Sequence, residues 1–183
     1  DIILVGEIRD TETASMAFRA AMTGHQVFAT LHTHSALGAL ARLADLGVLP
    51  DMMAGNISGV IGQRLVRVLC VQCKTASTPD DVEQRLLFLP NSPPPEMIFR
   101  PVGCPQCRGT GYRGRRTVME VLRFDEEFDA LVGSRAPLSA FRALVAQREV
   151  MPLADAAVAL VRAGETALEE VLRVVDLTGR LPR

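Results

Sequence analysis

The chain has 183 residues, 48% of them hydrophobic, and a formal net charge of -1. That length supports an ordinary domain core and that composition excludes a largely disordered chain, while the near-zero charge excludes a strongly basic nucleic-acid binder on bulk electrostatics. No apolar run reaches the ~20 residues needed to cross a bilayer, since the best, around Ala154 to Val161, is short and contains Asp155, so the cytoplasm is the expected compartment.

The first element is DIILVGEIRD, Asp1 to Asp10. Ile2 to Val5, a short β-branched run, predicts a strand buried on both faces, as in a parallel sheet covered by helices. Ligands of open α/β sheets sit beyond the carboxyl ends of strands, where Glu7 emerges, so the block is a Walker B candidate. Asp1 lies about 20 Å back along the extended chain and cannot share a metal ion with Glu7. With strand periodicity, Glu7 and Arg9 share a face, so Arg9 either orients Glu7, faces a neighbouring subunit or forms a surface salt bridge.

A helix over 11–22 follows, capped by Asp10 and closed near Gly24. A second strand over 26–31 ends in His32, and the helical crossover predicts that it runs parallel to the first, with both tips facing one crevice. His25 precedes this strand, about 20 Å from His32 if extended, so the two histidines serve different places. Further helices are predicted over 36–46, capped by Ser35 and stopped by Gly47, and over 51–63, then a strand over 64–69.

The four cysteines form two pairs, Cys70 with Cys73 and Cys104 with Cys107, separated by thirty residues. Two C-x2-C knuckles supply four thiolates, the donor set of a closed structural zinc site, and this reading stands ahead of unpaired buried cysteines and of redox chemistry, which lacks a thioredoxin-like context here. The intervening segment, rich in proline (Pro90, Pro93, Pro94, Pro95, Pro101), predicts a projecting tongue stapled at its base. Residues 100 to 116 carry Arg100, Arg108, Arg113, Arg115 and Arg116 and no acid. This patch suits either anionic lipid headgroups or carboxylates elsewhere in the chain. A return strand over 117–124 and helices near 125–132, 138–148, 153–163 and 167–175 complete the chain, with Pro137 and Pro152 in first turns and Thr166 with Glu169 as a capping box.

Lys74 is the only lysine, beside nineteen arginines. A P-loop requires glycine immediately before its lysine and again five residues earlier, and those positions hold Cys73 and Val68. The chain therefore contains no Walker A and is expected to hydrolyse ATP negligibly by itself.

The runs DIILVGEIRD, TGHQVFATLHT and GCPQCRGTGYRGRRTVMEVL, in this order, resemble the secretion ATPases that drive type II secretion and type IV pilus assembly, and GETALEEVLRVV resembles their terminal helix. The resemblance implies an α/β fold: the C-terminal part of a RecA-like P-loop ATPase core with an inserted tetracysteine zinc module and a helical C-terminal subdomain. The implied ranges are 1–69 for the core with Walker B and His box, 70–107 for the zinc insertion, 108–124 for the return strand and 125–183 for the helical subdomain. By the same resemblance Glu7 is the catalytic carboxylate and His32 the His-box imidazole that senses the terminal phosphate, while His25 fixes a turn. Gly6 and Arg9 fall to nucleotide binding or a subunit interface, and Cys70, Cys73, Cys104 and Cys107 to structural zinc. The chain departs from the family at His34 and Ser35.

The resemblance further implies that the intact protein uses ATP and Mg2+, forms a homo-hexamer, and acts on platform and cytoplasmic-domain proteins at the cytoplasmic face of the bacterial inner membrane, with anionic lipid at the arginine patch and no nucleic acid. Two other readings stand beside it. C-P-Q-C-R-G-T-G also resembles one zinc repeat of the heat-shock co-chaperones that bind unfolded polypeptide, although the first pair lacks its glycines. A nucleotide-independent scaffold is the other.

Overall fold

The structure, a computed structural model, describes residues 1–90, 92–148 and 150–180. Residues 181–183 of the predicted 125–183 segment therefore lie outside the described residues. Two compact units are present, Asp1–Gly62 with Val121–Val150, and Gln63–Glu120 with Met151–Arg183.

The first unit opens with β1 (Ile2–Val5), α1 (Thr11–Met22) and β2 (Gln26–Ala29). The Asp10 carboxylate accepts from the Thr13 N–H at 2.8 Å and satisfies one of the orphan donors of the first turn. Beyond α1, Gly24 takes φ +91°, the left-handed turn that lets the chain reverse. β1 and β2 pair in parallel, with Leu4 opposite Phe28 and Val5 opposite Ala29. Val5 and Val27 pack on a core that includes Ala14, Ala17 and Phe18 of α1. The expectation of burial on both faces is wrong: Ile2 is 74% exposed, Leu4 78% and Phe28 53%. Only one face of this ribbon meets a core: Val5 and Val27 pack against it, while Ile2, Leu4 and Phe28 alternate to the other face, which no element among the described residues covers.

Next come α2 (Gly38–Asp45) and a single turn, α3 (Pro50–Met53). The Gly38 N–H donates to Ser35 Oγ at 3.2 Å, but α2 starts two residues later than expected, with Leu37 at its cap position and no side-chain cap, so Ser35 is not the cap of this helix. The predicted helix over 51–63 is corrected. It stops at Met53, where Gly55 turns with φ +74° and the Asn56 amide donates to the carbonyls of Met52 and Ala54. From Gly59 the chain is β3 (Gly59–Leu69), paired with β6 (Tyr112–Arg123). A Cβ on Gly59 would lie 2.9 Å from the Leu122 carbonyl oxygen, so glycine permits the close approach. The return strand accordingly begins five residues before the expected 117. α5 (Glu126–Gly133) and α6 (Leu138–Ala146) complete the first unit, with Phe124, Phe128 and Phe141 in its core.

In the second unit the segment between the cysteine pairs is not a projecting tongue. It folds as β4 (Thr75–Ser77), α4 (Asp81–Leu86) and β5 (Ile98–Arg100), with β4 and β5 antiparallel and Ala76 opposite Phe99. α4 opens with a full capping box between Asp80 and Glu83. Leu86, Leu87 and Ile98 are buried against Val158 and Val161 of α7 (Leu153–Arg162) and Leu168 and Val171 of α8 (Leu168–Val174), and such apolar area is too large to leave in water. Arg162 donates to the carbonyls of Leu87 and Pro93 and to Ser92 Oγ, securing the proline-rich stretch.

Thr166 is not a helix cap. Its buried hydroxyl donates to the Arg67 carbonyl at 2.8 Å, and α8 starts after Ala167 with no side-chain cap. Pro137 and Pro152 occupy the cap positions just before the first turns.

Candidate functional site

Two clusters carry chemistry. In the first unit, β1 and β2 deliver their carboxyl ends side by side. The Ile8 N–H donates to the Thr30 carbonyl at 2.9 Å, so the ladder continues past the last paired residues. Glu7 Oε1 lies 2.5 Å from the Arg9 guanidinium and Oε2 lies 3.0 Å from His32 Nε2. Arg9 first, and His32 after it, holds the Glu7 carboxyl below the usual carboxylate range, so it is ionised at neutral pH. Each oxygen keeps a further lone pair for a water molecule or another donor. The His32 side chain is 83% exposed, leaving the imidazole reachable from solvent.

His25 is elsewhere, with Nδ1 3.2 Å from the Ala20 carbonyl oxygen and 3.1 Å from Thr23 Oγ1, inside the turn after α1. Gly6 precedes Glu7 in open space, where an added Cβ would meet nothing within 4 Å. The structure thus brings Gly6, Glu7, Arg9 and His32 together and leaves His25 out.

In the second unit the four cysteine sulfurs lie within 4.8 Å of one another. Sγ separations are 3.9 Å for Cys70 to Cys104, 3.8 Å for Cys73 to Cys107 and 3.7 Å for Cys104 to Cys107. A tetrahedral metal with bonds of about 2.3 Å demands sulfur–sulfur edges of about 3.8 Å, so the donor set fits such an ion. Backbone amides also aim at the sulfurs: Gly103 N–H at Cys73, and those of Cys104 and Gly111 at Cys107, at 3.3, 3.1 and 3.2 Å. Burial pushes the Cys107 thiol up, but the two amides together with hydrogen bonds from Cys104 and Cys73 bring it down to about 6, whereas burial drives Cys73 up to about 11. The knuckle needs glycine at position 111, where φ is +76° and a Cβ would lie 2.4 Å from Pro101 Cβ.

Beside the cluster, the lone lysine is structural: Lys74 Nζ donates to the Gly164 carbonyl at 2.7 Å and lies 4.4 Å from the Phe99 ring centroid. Two arginines of the predicted patch are already engaged, Arg100 with Glu83 at 2.8 Å and Arg116 with Glu165. Sequence patterns missed Glu170, a carboxylate only 5% exposed that accepts from the Arg67 N–H at 3.1 Å and from its guanidinium at 2.5 Å. The partners are 103 positions apart, beyond any local signal.

Residues 1–173 match the family described as Type II/IV secretion system protein. The chain belongs to that family. It is 47% identical over 97% of its length to the type IV pilus assembly ATPase TfpB of Acinetobacter baylyi, covering 31% of that protein. It is 43% identical over 95% of its length to the type II secretion system ATPase E of Vibrio cholerae, covering 34% of it. The chain thus spans about a third of the length of these curated relatives. Among solved structures, the Legionella pneumophila ATPase DotB aligns with 94% of the chain and 38% of its own, at a TM-score of 0.58 and 23% identity, a likeness of fold. Among the described residues, no helix is long and apolar enough to cross a membrane.

Proposed function

We propose that this chain is the part of a secretion or pilus-assembly ATPase that presents Glu7 and His32 to nucleotide, on a RecA-like core whose phosphate-cradling loop is supplied by sequence outside it. The observation that carries the reading is the 3.0 Å contact between Glu7 Oε2 and His32 Nε2 at the ends of adjacent parallel strands. Such a pair, ionised acid beside exposed imidazole, suits a site in which a carboxylate orients the attacking water and a second group senses the terminal phosphate. Glu7 would help order a bound Mg2+, which would supply charge neutralisation at the phosphates, and the contact to Arg9 keeps the Glu7 carboxylate aimed.

Zinc held by Cys70, Cys73, Cys104 and Cys107 plays a structural part here, closing the knuckles with no open position. The intact protein assembles as a hexamer at the cytoplasmic face of the inner membrane, where it drives platform and cytoplasmic-domain proteins of the machine. Arg108, Arg113 and Arg115, which have no ion pair among the described residues, are the members of the arginine patch left to meet anionic headgroups.

The test is Glu7→Gln in the full-length protein. Turnover is expected to fall by at least about a hundredfold, the scale of losing one preorganised electrostatic group, with nucleotide binding retained. A variant that hydrolyses ATP at the parent rate refutes the assignment, and robust hydrolysis by residues 1–183 alone refutes the claim that the phosphate cradle lies elsewhere.

A further inference from the structure

Between β1 and α1 the chain from Gly6 to Asp10 forms neither helix nor strand, yet it carries the carboxylate. One residue of the neighbouring segment holds both peptides that flank Glu7. The Thr30 hydroxyl donates to the Gly6 carbonyl at 2.5 Å, and the Thr30 carbonyl accepts from the Ile8 N–H at 2.9 Å. Ile8 is buried and pins its side of the loop to the core. On the Gly6 side packing does nothing, because a Cβ there would touch no atom within 4 Å.

We propose that Thr30 is a positioning residue that sets the distance between Glu7 and His32, an inference that rests on reading Glu7 as the catalytic carboxylate. The carbonyl half of the brace comes from the backbone and any residue would supply it. The hydroxyl half is specific to threonine or serine, the small side chains with a donor short enough to reach the neighbouring peptide. Because Thr30 stands two residues before His32, a single side chain ties the acid-bearing loop to the segment bearing the imidazole. Loss of the hydroxyl frees the Gly6 peptide, and Glu7 drifts from the position its neighbours impose.

Two measurements test this. In the 183-residue chain, the His32 imidazole nitrogen shifts respond to Glu7→Gln, and that response is compared in the parent, Thr30→Val and Thr30→Ser backgrounds. It is expected to fall by at least about half with Thr30→Val, which is nearly isosteric but has no donor, and to recover with Thr30→Ser. In the full-length protein, Thr30→Val lowers kcat by about ten- to a hundredfold, as a misplacement on the order of 1 Å does, with the ATP KM held within about twofold; Thr30→Ser restores the rate to within about threefold. An undiminished imidazole response, a loss carried by KM, or equal losses for both variants overturns the proposal. If Glu7→Gln leaves hydrolysis intact, the catalytic reading fails, and the imidazole response still decides whether Thr30 braces the pair. Thr30→Ala replaces the valine variant if melting curves show that the latter does not fold.

Discussion

Replacing Glu170 by glutamine removes a single charge from the interior of the second unit while keeping a carbonyl for the Arg67 N–H. What is lost is the charge-assisted bond to the Arg67 guanidinium at 2.5 Å and a weaker attraction to Arg173 at 3.7 Å. Hydrogen bonds to charged groups contribute about 1.5–3 kcal/mol, and the Arg67 side chain, 38% exposed, rehydrates in part, which sets the expected loss at about 2 kcal/mol. Glu170→Ala also orphans the amide and reaches about 3 kcal/mol, the low end for a broken buried pair. At a urea dependence of about 2 kcal/mol per molar, these become midpoint drops of about 1 and 1.5 M.

The assay is built in. Tyr112 is the only tyrosine in a chain without tryptophan, and the Arg67 guanidinium sits 4.1 Å above its ring, so tyrosine emission follows this site through the urea transition. Burial pushes its phenol up to about 12, so the emission stays free of phenol ionisation from pH 3 to 8. Burial alone would raise the Glu170 carboxyl, but the Arg67 bonds outweigh it and hold it below its ordinary value. A depressed folded-state acid contributes stability that is full above the unfolded value, near 4.3, and is lost as pH falls through the folded one. The parent-to-Gln difference is therefore constant from pH 8 to about 5.5 and shrinks below about pH 4. Coincident midpoints at pH 7, or a difference that survives undiminished at pH 3, refute the argument.

Three other outcomes are expected. The purified chain carries one zinc per molecule, and Cys104→Ser abolishes it with loss of protease resistance in the second unit; a serine variant that retains stoichiometric zinc contradicts the site. Gly111→Ala destabilises by at least about 2 kcal/mol, since it meets Pro101 as well as an unfavourable φ, whereas Gly114→Ala, at φ +84° with nothing within 4 Å, loses only about 1 kcal/mol; equal losses in urea melts remove the steric argument. Asp10→Ala lowers the thermal midpoint at neutral pH; because the Thr13 backbone bond holds the Asp10 carboxyl below its ordinary value, the gap closes as pH falls through that depressed value, and a gap independent of pH points to something other than the cap.

The parts legible in sequence are those whose cause is local. Asp10 beside the start of α1, the two C-x2-C knuckles, and a short apolar strand on either side of a crossover helix each state their structure within a few residues. From the last follows the juxtaposition of Glu7 and His32, because parallel strands deliver their ends to one side. Where a distant partner decides, the pattern misled. Residues 51–63 are expected as a helix from Asp51, yet Gly59 onward is strand because β6, more than fifty residues later, pairs with it. Thr166 followed by Glu169 reads as a cap, but a backbone carbonyl at Arg67 claims the hydroxyl. Prolines suggested a protruding tongue, while Leu86, Leu87 and Ile98 among them draw it into a core.

The clasp between Lys74 Nζ and the Gly164 carbonyl turns the only ε-amine of the chain into a chemical gauge. An acylating reagent finds that nitrogen engaged, so when labelling is slower than reclosing Lys74 is modified in proportion to the time the clasp spends open. Following that one adduct by mass spectrometry reads the open fraction of this contact in the second unit, with no other lysine to confuse the count.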